Sequence, residues 1–163
     1  MKPTTVEILS EGLIAGVIGY ATTAIFFMLA SALAGQSPFH LAALLGGAMF
    51  YGLHDASQVV VWPGVVLAYN GIHLIVFLVL GMIAAWFAAL AERGPEFWYI
   101  AITLYIFVLF HVYGIVQMLS ESFRASIPVW VSFGGTFLAS IAMAAYLLWA
   151  RPKLRVEVRE FRE

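Results

Sequence analysis

Long apolar runs broken by short polar stretches dominate this chain, and the runs show no alternation that would mark strands. Four of them are long enough to cross a hydrocarbon layer about 30 Å thick as helices: residues 11–34, 65–91, 97–119 and 127–150. All four are nearly free of charge. Between the first and second lies residues 38–62, whose apolar part, about 39–53, has the length of an interfacial or re-entrant helix. Taking it as a fifth span would carry His54, Asp55, Ser57 and Gln58 through lipid and then demand a reversal at Pro63-Gly64. The expected fold is therefore all-α: an integral membrane four-helix bundle with a short interfacial or re-entrant helix between spans 1 and 2. One transmembrane domain fills residues 1–150, and residues 151–163 form a charged cytoplasmic tail.

The basic residues orient the bundle. No Lys or Arg falls between Lys2 and Arg93, so the segment from Gly35 to Pro63 faces outward. Arg93 marks a cytoplasmic turn. Arg124 sits alone on the short outer turn, and the tail carries Arg151, Lys153, Arg155, Arg159 and Arg162. Both termini are then cytoplasmic, as in a protein of the bacterial inner (plasma) membrane. The tryptophans agree, since aromatic rings with one polar edge collect at headgroup level. Trp62 and Trp130 fall at the outer boundary, whereas Trp86, Trp98 and Trp149 fall near the inner one. Residues 12–34 exceed an ordinary signal-peptide core, and Glu7 and Glu11 precede them, so the first run is expected to remain as a helix.

Composition supports the same class and removes others. Of 163 residues, 63% are hydrophobic and 10% charged, far from the balance of a soluble domain. The net charge of -1 and scattered basic residues offer no stripe for a phosphate backbone, so nucleic acid is not an expected partner. With no cysteine, disulfides, thiolate-bound zinc, iron–sulfur clusters and covalent haem attachment are all excluded.

Small residues mark where helices are expected to meet, because association in lipid depends on close packing. Gly12 and Gly16 form a G-x-x-x-G with Gly19 nearby. The second span carries Gly81, Ala85 and Ala89, and the last carries Ser132, Thr136, Ser140 and Ala144, each at intervals of four.

His73 and His111 are the candidate chemistry, being ionisable side chains well inside the expected spans. His73 lies nine residues after Gly64 and His111 nine before Ser120, so both imidazoles are expected about 13 Å below the outer boundary. Tyr69 and Asn70 precede His73 on its own face, and Gly114 follows His111 by three. Three readings stay open. The pair can be a plain interhelical clasp; it can hold a haem b between two axial imidazoles, with Gly71, Gly114, Phe77 and Phe107 as walls; or it can serve quinone or proton traffic. His54 and Asp55 form a second, weaker candidate, suited to zinc or copper but equally to a turn and helix cap. No catalytic motif occurs, which argues against an enzyme. The expected role is a small accessory or structural subunit of a larger membrane assembly, an electron-transfer complex being one candidate, in contact with lipid and with other membrane subunits or copies of itself. A b-type cytochrome is the alternative, and a transporter or proton- or quinone-handling protein the third.

Overall fold

The computed structural model describes residues 4–92, 102, 106, 110, 113–114, 117 and 119–154. Among them every regular element is helical. Helix α1 spans Thr5–Leu33, α2 His40–Tyr51, α3 Pro63–Ala91, α4 Glu121–Ser126 and α5 Val129–Ala150, with a 3₁₀ turn at Ala56–Gln58. Helices α1, α3 and α5 are long and apolar enough to cross a membrane. Residues 97–119 fall mostly outside the described residues; within that range Ile102, Ile106, Phe110, Tyr113, Gly114 and Gln117 are helical.

Local chemistry explains the helix ends. Helix α1 starts six residues before the expected boundary because Thr4 and Glu7 form a capping box: Thr4 Oγ1 accepts from the Glu7 N–H at 3.2 Å, and the Thr4 N–H donates to the Glu7 carboxylate at 2.7 Å. It ends where Gly35 turns left-handed, with φ of 72°. Pro63 occupies the first position of α3, where its missing N–H costs nothing. Gly52, with φ of 60°, terminates α2.

Helix α1 is the centre of the packing, lying against α3 on one side and α5 on another, while α3 and α5 scarcely meet. Its contact with α3 is backbone against backbone. A Cβ on Gly12 would sit 2.6 Å from the Cα of Met82, and one on Gly16 2.7 Å from the Cα of Leu78. A Cβ on Gly81 would collide with the backbone of Gly12 and Gly16. Ala15, Ala85 and Ala89 are buried along the same seam. Gly19 is closed over by Phe77 of α3 and Met143 of α5. The expected small-residue seams on α1 and α3 thus lie where helices approach most closely.

On α5 the buried face differs from the expected ladder. Thr136 is buried and Ser132 and Ser140 are half-buried, but Ala144 is exposed. Steps of four residues overshoot the helical repeat by about 40° each, so the ladder rotates off the contact by its third step. The Thr136 hydroxyl donates to the Ser132 carbonyl at 3.0 Å and the Ser140 hydroxyl to the Thr136 carbonyl at 2.8 Å, so both are satisfied within their own helix.

Two apolar clusters close the bundle's ends. At one end, Leu41 and Leu44 of α2 join Ala30, Phe123, Ile127 and Val131. At the other, Ala15, Ala84, Ala85, Ala88 and Leu147 enclose Leu154, which is 1% exposed. Residues 151–154 therefore belong to the folded bundle, although the expected tail began at residue 151.

Candidate functional site

His73 sits on the α1-facing side of α3, inside a ring of aromatic residues. Its imidazole stacks on Tyr69 with centroids 5.1 Å apart and meets the edge of Phe77 at 5.0 Å. Tyr20 and Phe27 of α1 complete the surround at 6.1 and 6.3 Å. The spacing of four between Tyr69, His73 and Phe77 places these three on one face, and α1 supplies the opposing rings. The Tyr69 hydroxyl and His73 Nδ1 are 3.3 Å apart, and Nε2 is buried with no hydrogen-bond partner. If Tyr69 donates to Nδ1, the ring proton sits on Nε2 as an unmet donor; in the other tautomer Nε2 is an unmet acceptor.

One turn away, Asn70 makes the cross-helix bond. The Tyr20 hydroxyl donates to Asn70 Oδ1 at 3.0 Å, while Asn70 Nδ2 donates back to the Val66 carbonyl at 2.8 Å. Tyr69, Asn70 and His73 are thus brought together as expected from spacing, with Tyr20 as a fourth member that the sequence reading missed. Gly71 lies on the exposed face with open space at its Cβ position. Gly114 is helical and half-buried. His111 lies outside the described residues, as does Phe107.

A second polar constellation, at the opposite end, was not read from the sequence. Arg151, which caps α5, is 3% exposed and reaches two carboxylates: Nη2 lies 2.6 Å from Glu11 Oε2 on α1, and Nη1 lies 3.3 Å from Glu92 Oε2 at the end of α3. Glu11 and Glu92 retain 20% and 12% exposure. The closer contact is an ion pair whose angles do not make a hydrogen bond, since Glu11 Oε2 and Arg151 Nη2 have no such partner. Glu92 sits where the carbonyl end of α3 is already negative, so the guanidinium offsets both the carboxylate and two helix dipoles. A cation drawn from the expected tail thereby ties three helix ends together.

His54 and Asp55 lie in the exposed connection between α2 and α3. Asp55 Oδ1 accepts from the Ser57 N–H at 2.9 Å and from the Ser57 hydroxyl at 2.8 Å, starting the 3₁₀ turn. These bonds hold its carboxyl below the usual aspartate range. The same loop is fastened to α4: the Ser120 hydroxyl donates to the His54 carbonyl at 2.6 Å, and the Ala56 N–H donates to Ser122 Oγ at 3.0 Å. No group of three His, Cys, Asp or Glu residues suited to a metal occurs among the described residues.

No family model matches the chain, and neither a curated protein nor a solved structure does. The chemistry must therefore be argued from the sites themselves. The His73 cluster can hydrogen-bond or ligate through a single buried nitrogen, whereas the Arg151 cluster has its charges turned on one another.

Proposed function

We propose that the chain is a small multi-pass protein of the bacterial inner membrane, with both ends cytoplasmic, acting as an accessory or structural subunit of a larger membrane assembly. The observation that carries this reading is how the interior polar groups are used. Tyr20 and Asn70 clasp α1 to α3, and Arg151 ties together the ends of α1, α3 and α5. The helices meet through glycine against backbone, and their outward faces are apolar from Leu13 and Ile25 to Ile75, Phe137 and Ile141. This is the construction of a rigid insert with lipid or other subunits around it.

Four crossings are supported by the placement of the described ends. Glu92 lies beside Arg151, whereas Ser120 lies beside His54 at the opposite end of the bundle. A fourth crossing between them would bring the chain back to start α5 and would leave both termini on the side that carries Arg151. Extraction in several mild detergents, followed by native mass measurement, tests the subunit reading. A stoichiometric membrane partner is expected; a chain that runs alone at native abundance under every gentle condition contradicts it.

One observation favours a second reading. The Nε2 of His73 is buried with no hydrogen-bond partner, and a b-type haem taking His73 on one side and His111 on the other would give it one.

A further inference from the structure

We propose that α2 is a hinged lid that closes one end of the bundle over the His73 cluster. This goes beyond the subunit reading and does not rest on it. Helix α2 covers the cluster through Tyr69, the residue on which His73 stacks. A Cβ on Gly46 of α2 would lie 2.8 Å from Val65 Cγ2 and 3.2 Å from Tyr69 Cβ, so the backbone of α2 rests directly on these two residues of α3. Leu41 and Leu44 of α2 pack in the same apolar cluster as Phe27, whose ring faces His73 from α1. Tyr69, one wall of the imidazole site, is thus covered by α2, and Phe27, another wall, packs against the apolar cluster that α2 completes.

The lid is bounded by the two residues whose backbone is left-handed. Gly35 and Gly52 are the positive-φ positions among the described residues, and a Cβ at either would meet no neighbour. They serve to turn the chain and do not pack. Between them, no side chain of α2 makes a hydrogen bond or ion pair to another helix among the described residues. Apolar contact alone holds the lid, while the opposite end carries buried charge. Although Leu41, Ala43 and Leu44 are buried, α2 has no side-chain hydrogen bond to another helix among the described residues and lies between two left-handed turns, so it can part as a unit while the backbone-to-backbone seam beneath it stays closed. Opening would uncover Tyr69 and then the Nε2 of His73, which is buried with no hydrogen-bond partner.

Deuterium exchange on the full chain in lipid nanodiscs reads the opening directly. Amides of α2 should exchange together, about tenfold or more faster than those of the Gly12–Gly19 and Gly81–Ala89 seam. If they exchange only with that seam, the lid does not exist. Coverage is read with Tyr69→Cys, which introduces a single thiol into a cysteine-free chain. A water-soluble maleimide reaching both faces should label it slowly, and about tenfold faster when Gly46→Leu wedges α2 outward. Gly52→Ala, whose methyl group meets nothing, should speed both exchange of α2 and labelling more mildly, and it serves if Gly46→Leu fails to fold. Faster exchange of α2 with unchanged labelling in these variants would overturn the proposal, because α2 would then move without covering the site.

Discussion

The two ends of this bundle are closed by different means. At the Arg151 end, glycines bring α1 and α3 into backbone contact, and a buried guanidinium binds three helix ends. At the α2 end, aromatic side chains hold the same two helices around His73, and a short apolar helix lies across the top. Backbone contact leaves no room for polar chemistry. Aromatic spacing makes room for an imidazole with a free nitrogen. One helix pair thus meets in two ways, backbone to backbone where glycine faces the partner and through rings where tyrosine does.

Gly81→Leu is expected to have the largest effect. The added side chain meets the backbone of Gly12 and Gly16, which cannot rotate aside, so the cost should reach or exceed about 3 kcal/mol, the upper end of ordinary overpacking. Loss of a monodisperse, thermally cooperative species in detergent is the expected result. Gly71→Leu, on the same helix but exposed with open space around it, should shift stability by less than about 1 kcal/mol.

Arg151→Met comes next. It strands Glu11 and Glu92 near one another, and breaking a buried pair costs about 3–5 kcal/mol, reduced here to about 2–3 because both carboxylates keep some contact with water. Adding Glu11→Gln and Glu92→Gln should recover most of the lost thermal stability. Recovery would show that the damage came from unpaired charge rather than from lost packing around Leu154.

Much of this architecture was legible before the structure, for identifiable reasons. The apolar runs that became α1, α3 and α5 are long and uncharged, and the Gly12–Gly16 spacing needs only one helix to be read. The stretch expected at 39–53 corresponds to α2 at His40–Tyr51. Arg151 was read as part of a tail because nothing local tells a solvated cation from one that reaches back to residue 11. Its role depends on contacts between ends of helices far apart in sequence. The start of α1 is expected too late, at residue 11, because Glu7 and Glu11 mark a polar boundary before the apolar run, although Thr4 and Glu7 have the spacing of a capping box. Tyr20 was missed because a tyrosine in an apolar run carries no sign of the partner it will find across a helix pair.

Tyr20→Phe probes the aromatic end with a smaller expected effect. It removes the bond to Asn70 Oδ1 while keeping the ring near His73. Such interhelical bonds average about 0.6 kcal/mol, so a slight drop in thermal midpoint with unchanged helicity is expected. The smallest effect belongs to the exposed loop. Asp55 has its folded pKa lowered by the Ser57 N–H, so its contribution is present above the unfolded aspartate pKa and lost as pH falls through the folded value. Amide exchange in the 3₁₀ turn at Ala56–Gln58 should therefore quicken only under acid conditions, relative to the intrinsic rate, and Asp55→Asn should weaken that response.

Tyr20 and Asn70 join α1 to α3 and aromatic neighbours surround His73, and the subunit role proposed above needs no iron there. The absorption spectrum of the chain, purified from haem-replete cells with its native partners retained, tests this most directly. The chain itself should contribute no Soret band and no reducible α-band, and His73→Ala should leave the spectrum of the assembly unchanged. A Soret band that His73→Ala abolishes while the assembly stays intact would contradict the account and make His73 a haem ligand.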